Sequence, residues 1–300
     1  VTNTFMEAVK TDSQFALTHP VSGKVVRTVR ARDLFDRIVQ NAHETGEPGI
    51  VFIDRINDED PIRQTIGDDG RPIAGTEDIE ATNPCGEQPL GPGDACNLGS
   101  INVANYVLAD RSGFDYARLA KTVALCVRFL DDVIDANNYP FDFVRQATLN
   151  NRRIGLGLMG FAEALIRMGI AYNSTEAVDK ASELMSFINS EGSRASCALA
   201  ESRGAFPNFP YSRWATESGE KSKNNQKRRN ATVTTIAPTG TISIIAGTTS
   251  GIEPLFAISF VRRVMGGTEL IEVNPLFEMQ ARERGFYSEE LMRKIAEIGT

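Results

Sequence analysis

The chain has 300 residues, of which 41% are hydrophobic, and a formal net charge of −7 with a pI near 5.1. This length and apolar content suffice for one large α/β unit or two smaller domains. An acidic chain lacks the basic face that a nucleic-acid polymer or an anionic membrane requires, so neither is an expected partner. No apolar run approaches the roughly 18 residues that span a bilayer, and residues 1–10 lack a secretory pattern, so a cytoplasmic protein is expected.

The first part of the chain predicts a hairpin, a helix and a strand. Residues 15–17 and 25–29 flank a turn-rich segment, which is typical of a β-hairpin. Apolar residues recur at helical spacing from 34 to 42, and Gly46 follows where that helix would end. The run 49–53, G-I-V-F-I, predicts a buried strand.

Later segments continue this alternation of helices and strands. Helices are predicted over 119–134, over 175–202 with Asn173 and Glu176 as a capping pair, and over 288–298. Strands are predicted over 232–237 and 256–261, and the basic interval 218–230 is expected to be an exposed loop with solvated charges. This order indicates an α/β fold with mainly parallel strands, either open or closed into a barrel.

Residues 81–102 combine a thiol, a carboxylate and an amide within a stretch rich in proline and glycine. In an extended segment alternate side chains share a face, so Asn83, Cys85 and Glu87 would project together. A second thiol, Cys96, follows eleven residues later. A cysteine protease needs a histidine base, and both histidines lie far upstream, so the thiol suits radical or redox chemistry better than acyl transfer.

The other two cysteines, Cys126 and Cys197, lie within predicted helices and are expected to be packing residues. The four cysteines include no C-x-x-C pair, and only two histidines are present, so no metal site is expected.

Two glycine-containing segments are candidates for nucleotide binding. Residues 155–160 match G-x-G-x-x-G, but polar residues 150–153 precede them where a dinucleotide fold has a strand. We therefore interpret these glycines as allowing close packing of the following helix, and not as the binding loop of a dinucleotide-dependent oxidoreductase. Residues 237–243 have a strand, turn and helix-start order in which backbone amides and the hydroxyls of Thr239, Thr241 and Ser243 could meet a phosphate. Residues 237–243 lack the lysine of a Walker A motif, so they do not imply ATP hydrolysis.

At N-P-C-G-E-Q-P-L (83–90) and A-C-N-L-G-S-I-N (95–102) the chain closely resembles ribonucleotide reductases. The segments G-I-V-F (49–52), R-R-I-G-L-G (152–157), A-P-T-G-T-I-S (237–243) and S-G-I-E-P (250–254) extend this resemblance over almost the whole chain. The N-P-C-G-E motif is similar to the corresponding motif of the adenosylcobalamin-dependent, class II enzymes. The resemblance implies that residues 1–300 are part of a ten-stranded α/β barrel, with the active cysteine on an internal finger loop at about 81–102.

The resemblance also implies roles for individual residues. Cys85 would carry the thiyl radical that removes the 3′ hydrogen of a ribonucleotide, with adenosylcobalamin as the radical source. Glu87 would take the 3′-hydroxyl proton, Asn83 would orient the substrate hydroxyls, and Cys96 would be half of a dithiol that ends as a disulfide. The implied substrate-binding residues are those of the finger loop and the phosphate loop: Asn83, Pro84, Cys85, Gly86, Glu87, Pro238, Thr239, Gly240, Thr241, Ile242 and Ser243.

The implied partners are a ribonucleoside di- or triphosphate, a thioredoxin- or glutaredoxin-like reductant, and a nucleotide effector bound outside this chain; a homodimer is compatible with the family. No cysteine precedes Cys85 to pair with Cys96, and no C-terminal cysteine pair follows. The chain is therefore expected to be an internal part of a longer reductase that does not turn over alone. Two alternatives stay open: a class I large subunit, and a catalytically silent nucleotide-binding fragment.

Overall fold

The computed structural model describes residues 1–63, 75–217, 227–255, 257–263 and 269–298. The chain divides into two units, residues 1–94 with 208–225 and residues 95–207 with 226–300. None of the described helices is both long and apolar enough to cross a membrane.

The helices and strands follow one another in mixed order. The helices are α1 Asn3–Lys10, α2 Ala31–Thr45, α3 Ile53–Glu59, α4 Tyr116–Ala136, α5 Asp142–Asn151, α6 Phe161–Met168, α7 Thr175–Arg203, α8 Arg213–Glu217, α9 Gly240–Ala246, α10 Pro275–Glu283 and α11 Glu289–Ile298. The strands are β1 Gln14–Thr18, β2 Val25–Arg30, β3 Ala81–Thr82, β4 Pro89–Leu90, β5 Asn97–Asn102, β6 Ile154–Met159, β7 Ser259–Arg263 and β8 Glu269–Val273. Short 3-10 helices lie at Val103–Tyr106 and Phe209–Tyr211.

In the first unit, β1 and β2 form the predicted antiparallel hairpin, and α2 is the predicted helix. Gly46 ends α2 in the left-handed conformation, with φ of 81°, where glycine has no Cβ to clash. A small core joins α1 to this region, and the rings of Phe5 and Phe15 meet edge to face with centroids 5.1 Å apart.

The buried strand predicted for residues 49–53 is wrong. Within the described chain, residues 49–52 belong to no strand, and α3 begins at Ile53. Their backbone bonds instead to the first residue: the Val1 ammonium donates to Val51 O at 2.7 Å, and Ile53 N donates to Val1 O at 3.2 Å. Ile50 and Phe52 are 37% and 43% exposed. An apolar run predicts burial, but a strand also requires a neighbouring strand to pair with.

The second unit is built around a parallel pair. β5 and β6 pair in register from Asn97 opposite Ile154 to Asn102 opposite Met159, and all six β6 residues are buried. Residues 232–235 run along the other side of β6, where Leu156 N donates to Val233 O at 2.8 Å and Thr235 N donates to Leu156 O at 3.1 Å. Only one parallel bridge, Leu156 to Thr234, forms there, so the strand predicted for 232–237 is an extended segment with partial pairing.

The core of this unit packs α4 and α7 against the parallel pair and α6. Its fully buried members include Leu119, Val123, Leu156, Leu165 and Leu184. The predicted helices correspond to α4, α7 and α11, although Ser174, whose hydroxyl accepts from Ala177 N at 3.1 Å, is the N-cap of α7 in place of the predicted Asn173 and Glu176 pair. The strand predicted at 256–261 is displaced to β7, and residue 256 lies outside the described residues.

The glycines of residues 155–160 allow close backbone approach. They lie within β6 and at its end, so they do not form a dinucleotide loop between a strand and a helix. A Cβ at Gly157 would lie 2.9 Å from Thr235 O. Gly160 is left-handed, with φ of 77°, and a Cβ there would lie 2.6 Å from Thr248 Oγ1 and closer still to Asn102 Oδ1.

A buried carboxylate, Asp131, connects several segments of the second unit. Its side chain is fully buried and accepts hydrogen bonds from Arg152 Nε at 2.9 Å, Arg203 Nη1 at 3.2 Å and Arg229 Nε at 3.2 Å. Asn230 Nδ2 donates to it at 3.0 Å. The prediction that Arg229 is simply solvated is therefore wrong, whereas Lys221 and Lys223 lie outside the described residues.

The expectation of mainly parallel strands holds only for β5 and β6. The other strand pairs of the described chain, β1–β2, β3–β4 and β7–β8, are antiparallel. Each of these described strands pairs with a single neighbour, so the described residues form part of a mixed α/β architecture and not a closed barrel.

Candidate active site

The finger-loop residues form a short hairpin in the first unit. β3 and β4 pair Ala81 with Leu90 and Thr82 with Pro89, and Asn83 N donates to Gln88 O at 3.1 Å. The tip is a tight turn closed by Gly86 N donating to Asn83 O at 3.0 Å. Proline at the second turn position and glycine at the fourth favour this turn. Cys85 occupies the third position and is exposed.

This turn corrects the predicted geometry of the three polar residues. Asn83, Cys85 and Glu87 do not follow the alternation of an extended segment, because the chain reverses direction between them. The reversal holds them in one hairpin tip by backbone hydrogen bonds. Asn83 Oδ1 also accepts from Gln88 N at 3.0 Å, so its side chain is oriented by the hairpin itself.

The surroundings of the tip differ from residue to residue. Cys85 is exposed, whereas Asn83 and Glu87 are half-buried. One carboxylate oxygen of Glu87, Oε2, is inaccessible to solvent. Gln88 is 5% exposed and anchors the base of the turn. The tip therefore exposes a thiol to solvent and shields one oxygen of a neighbouring carboxylate from it.

Cys96 immediately precedes β5, in the second unit. It is half-buried, and its Sγ donates to Asn97 O at 3.5 Å. All four cysteines lie within the described segments, and none is in a disulfide. Cys197 is buried and Cys126 packs against the core, which confirms their predicted packing role. Burial raises the pKa of both thiols, so neither readily forms a thiolate.

The predicted phosphate loop also lies in the second unit. Thr239 has a left-handed backbone, with φ of 57°, and precedes α9 without providing a side-chain cap within the described chain. The first backbone amides of a helix have no acceptor within it. Here those are the amides of Gly240, Thr241 and Ile242, and all three residues are exposed. The loop therefore offers a set of backbone donors at the surface of its unit.

Two of the three hydroxyls predicted to add phosphate donors are used inside the protein. Thr239 is 8% exposed, and its Oγ1 accepts from Gly251 N at 2.7 Å. Ser243 is 1% exposed; its Oγ lies 3.1 Å from Gly240 O and 2.9 Å from Ser250 Oγ. Thr241 alone among the three is exposed. The sequence pattern does not indicate which of these hydroxyls bond inside the protein and which are exposed.

The structure places the predicted site residues in both units. The hairpin tip at 83–87 belongs to the first unit, and Cys96 and the phosphate loop belong to the second. Residues 248–251, which bond to the phosphate loop, had no predicted role. Part of that segment was visible in the sequence as S-G-I-E-P, but nothing there indicates which hydroxyls it contacts.

A family model described as the ribonucleotide reductase barrel domain matches residues 1–299. The chain is 50% identical over 299 residues to vitamin B12-dependent ribonucleoside-diphosphate reductases of Thermoplasma acidophilum and Mycobacterium tuberculosis. It is 32% identical, over 81% of its length, to the ribonucleoside-diphosphate reductase subunit alpha of Chlamydia muridarum. The chain spans 36%, 40% and 25% of these proteins, respectively.

The fold comparison agrees with the sequence comparisons. The structure matches the class Id ribonucleotide reductase alpha subunit of Actinobacillus ureae with a TM-score of 0.69 at 22% identity, over 100% of this chain and 49% of that one. The mixed helices and strands described above correspond to part of the family's barrel, as the sequence predicted. The chain belongs to the ribonucleotide reductase barrel-domain family.

Proposed function

We propose that this chain is the catalytic barrel part of a cobalamin-dependent ribonucleotide reductase, which converts ribonucleoside di- or triphosphates into 2′-deoxyribonucleotides. The observation that carries the proposal is the hairpin tip. It holds an exposed thiol, Cys85, in a tight turn between the amide of Asn83 and the half-buried carboxylate of Glu87. The relatives with 50% identity are named vitamin B12-dependent reductases, which favours class II over class I.

The exposed thiol of Cys85 is accessible to a radical supplied by a bound cofactor. Adenosylcobalamin, when bound, supplies the radical that Cys85 Sγ receives. A large cofactor needs an accessible thiol, and Cys85 is exposed at the tip of a turn, whereas Cys126 and Cys197 pack against helices. Cys85 then removes the 3′ hydrogen atom of the substrate and returns it at the end of the reaction.

Glu87 and Asn83 act on the substrate hydroxyls in this proposal. Glu87 accepts the 3′-hydroxyl proton as the 2′-hydroxyl leaves as water. Asn83 uses Oδ1 to accept from Gln88 N, so its Nδ2 group is the donor that orients a substrate hydroxyl. The backbone of the hairpin keeps both side chains in place.

Cys96 supplies reducing equivalents together with a second thiol located elsewhere in the complete enzyme. The pair gives up two electrons and two protons and becomes a disulfide, which balances the loss of the 2′-hydroxyl as water. A thioredoxin- or glutaredoxin-like protein restores the dithiol. Nucleotide effectors act through parts of the protein outside this chain.

Residues 237–243 bind the substrate phosphates in this proposal. The backbone amides of the exposed residues Gly240, Thr241 and Ile242 lie at the start of α9, and the hydroxyl of Thr241 adds a donor. Thr239 and Ser243 shape the loop from inside.

Replacing Cys85 by serine in the full-length reductase tests the proposal. Formation of 2′-deoxyribonucleotide is measured with and without adenosylcobalamin, and Cys126→Ser serves as the matched control. The Cys85 variant is expected to fall to background while the control keeps near wild-type activity. Reduction retained by Cys85→Ser would show that the tip thiol is not the radical site, and wild-type activity that needs a second subunit and no cobalamin would assign the chain to class I.

A further inference from the structure

Glu163 is a buried carboxylate that the reaction above does not use. It lies in the first turn of α6, is 7% exposed, and accepts a hydrogen bond from Thr248 Oγ1 at 2.8 Å. We infer that Glu163 is a positioning residue for the phosphate loop, acting through Thr248. This inference rests on the proposed function, because it assigns a task to a residue behind the proposed phosphate site.

Residues 248–252, here called the bridging segment, are attached on one side to α6 and its flanking loops. Thr248 bonds to Glu163, and Gly160 N donates to Thr249 O at 2.8 Å. Tyr172 Oη donates to Ile252 O at 2.7 Å. These contacts fix both ends of the bridging segment to the part of the unit that carries β6 and α6.

The other side of the bridging segment is attached to the phosphate loop. Thr248 N donates to Ser243 O at 3.0 Å, and Gly251 N donates to Thr239 Oγ1 at 2.7 Å. The hydroxyls of Ser250 and Ser243 lie 2.9 Å apart. The bonded residues Thr239 and Ser243 flank the exposed residues 240–242, whose backbone amides begin α9. The position of those amides therefore depends on the position of the bridging segment.

Thr248 by itself connects the phosphate loop to α6. Its backbone amide bonds to the phosphate loop, and its hydroxyl bonds to Glu163. The hydroxyl has a single hydrogen, and Asn102 Oδ1, the other acceptor, lies farther away at 3.3 Å. Because Gly160 approaches Thr248 so closely that no Cβ would fit, this side of Thr248 is tightly packed. Loss of the Glu163 carboxylate would remove the stronger acceptor and leave a gap beneath Thr248.

A displaced phosphate loop would weaken substrate binding without altering the thiol chemistry. Phosphates bind alike in the ground state and the transition state, so loss of phosphate contacts raises KM and leaves kcat nearly unchanged. Loss of one charge-assisted hydrogen bond corresponds to an increase of about tenfold or more in the dissociation constant. The expected signature of Glu163→Ala is thus a KM raised about tenfold, with kcat within about twofold of wild type.

The test uses full-length reductase with five single variants and the double variant Glu163→Ala with Thr248→Val. Each is assayed for kcat and KM with a ribonucleoside diphosphate and for nucleotide affinity by calorimetry. Glu163→Ala and Thr248→Val each remove one end of the contact. Glu163→Gln and Thr248→Ser retain an acceptor and a hydroxyl, and should restore most of the affinity. Glu176→Ala is the matched control, because Glu176 is also in the first turn of a helix but is exposed.

The outcomes separate positioning from a purely structural role. The inference requires Glu163→Ala and Thr248→Val to raise KM and Kd by similar factors, with the double variant no worse than either. It is overturned if both variants lower the melting temperature but leave Kd unchanged, or if Glu176→Ala has the same effect. If Glu163→Ala does not fold, Thr248→Val and Thr248→Ser are compared instead. The inference then requires a higher Kd for Thr248→Val than for Thr248→Ser. If the wild-type protein binds nucleotide but does not reduce it, the proposed function fails and the calorimetric comparison still tests this inference.

Discussion

Replacing Asp131 by alanine should destabilise the chain far more than replacing its neighbour Asp132. Asp131 is fully buried and accepts from three arginines, of which Arg152 is 4% exposed and Arg229 is 14% exposed. Its removal leaves buried guanidinium groups without their shared acceptor. Breaking a buried ion pair by removing one partner costs about 3–5 kcal/mol. Asp132 pairs with Arg203 and Arg128 but is 49% exposed, and such surface pairs contribute about 0–1 kcal/mol.

Urea denaturation followed by far-UV circular dichroism measures this difference, because Asp131 lies on the long helix α4. With an m-value of about 3 kcal/mol/M, the midpoint of Asp131→Ala should fall by about 1 M or more. The midpoint of Asp132→Ala should fall by no more than about 0.3 M. Equal midpoints for the two variants would refute the view that the buried carboxylate holds these segments together.

Three further measurements test other parts of the structure. Gly160→Ala should lower the free energy of unfolding by more than about 1 kcal/mol, since a left-handed position must accept a Cβ; calorimetric stability equal to wild type would contradict this. A hydrogen bond from Arg152 lowers the pKa of Asp135 below its ordinary value of 3.8, so Asp135 stabilises the fold at pH values above that ordinary value. This contribution is lost as the pH falls through the lowered pKa, and the melting temperatures of wild type and Asp135→Asn should therefore converge on acidification. Cys85 should react with a maleimide first and Cys197 last, and peptide mapping that finds the reverse order would contradict the assigned exposures.

Local sequence signals predicted much of the fold. The apolar spacing of α2 and α4, the glycine after α2 and the hairpin of β1 and β2 are properties of short segments, so they could be inferred without tertiary information. The family was likewise recognisable from several separate motifs, and the barrel-domain match confirms it. The buried strand at 49–53 could not be predicted correctly, because strand formation depends on a partner elsewhere in the chain.

The geometry of the candidate site was not predictable from the sequence. Asn83, Cys85 and Glu87 were predicted to lie together and do share one hairpin tip, yet Pro84 and Gly86 close a turn where an extended segment was expected. The hydroxyls of Thr239 and Ser243 were predicted to add phosphate donors, whereas in the structure both bond to residues 250 and 251, which the sequence did not indicate. The burial of Glu163 could not be predicted from the sequence, because a glutamate in a short amphipathic helix is normally exposed to solvent.

The left-handed backbone of Arg152 limits which residues this position accepts. Arg152 ends α5 with φ of 48°, a conformation that costs a residue with a Cβ roughly 1–2 kcal/mol and that glycine adopts freely. Helix-end statistics alone would therefore select glycine here. Glycine would relieve that strain but remove the guanidinium that donates to Asp131 and Asp135, a loss of about 3–5 kcal/mol. A redesign that idealises helix ends one at a time would weaken this protein, because the preferred residue is determined by a carboxylate on another helix.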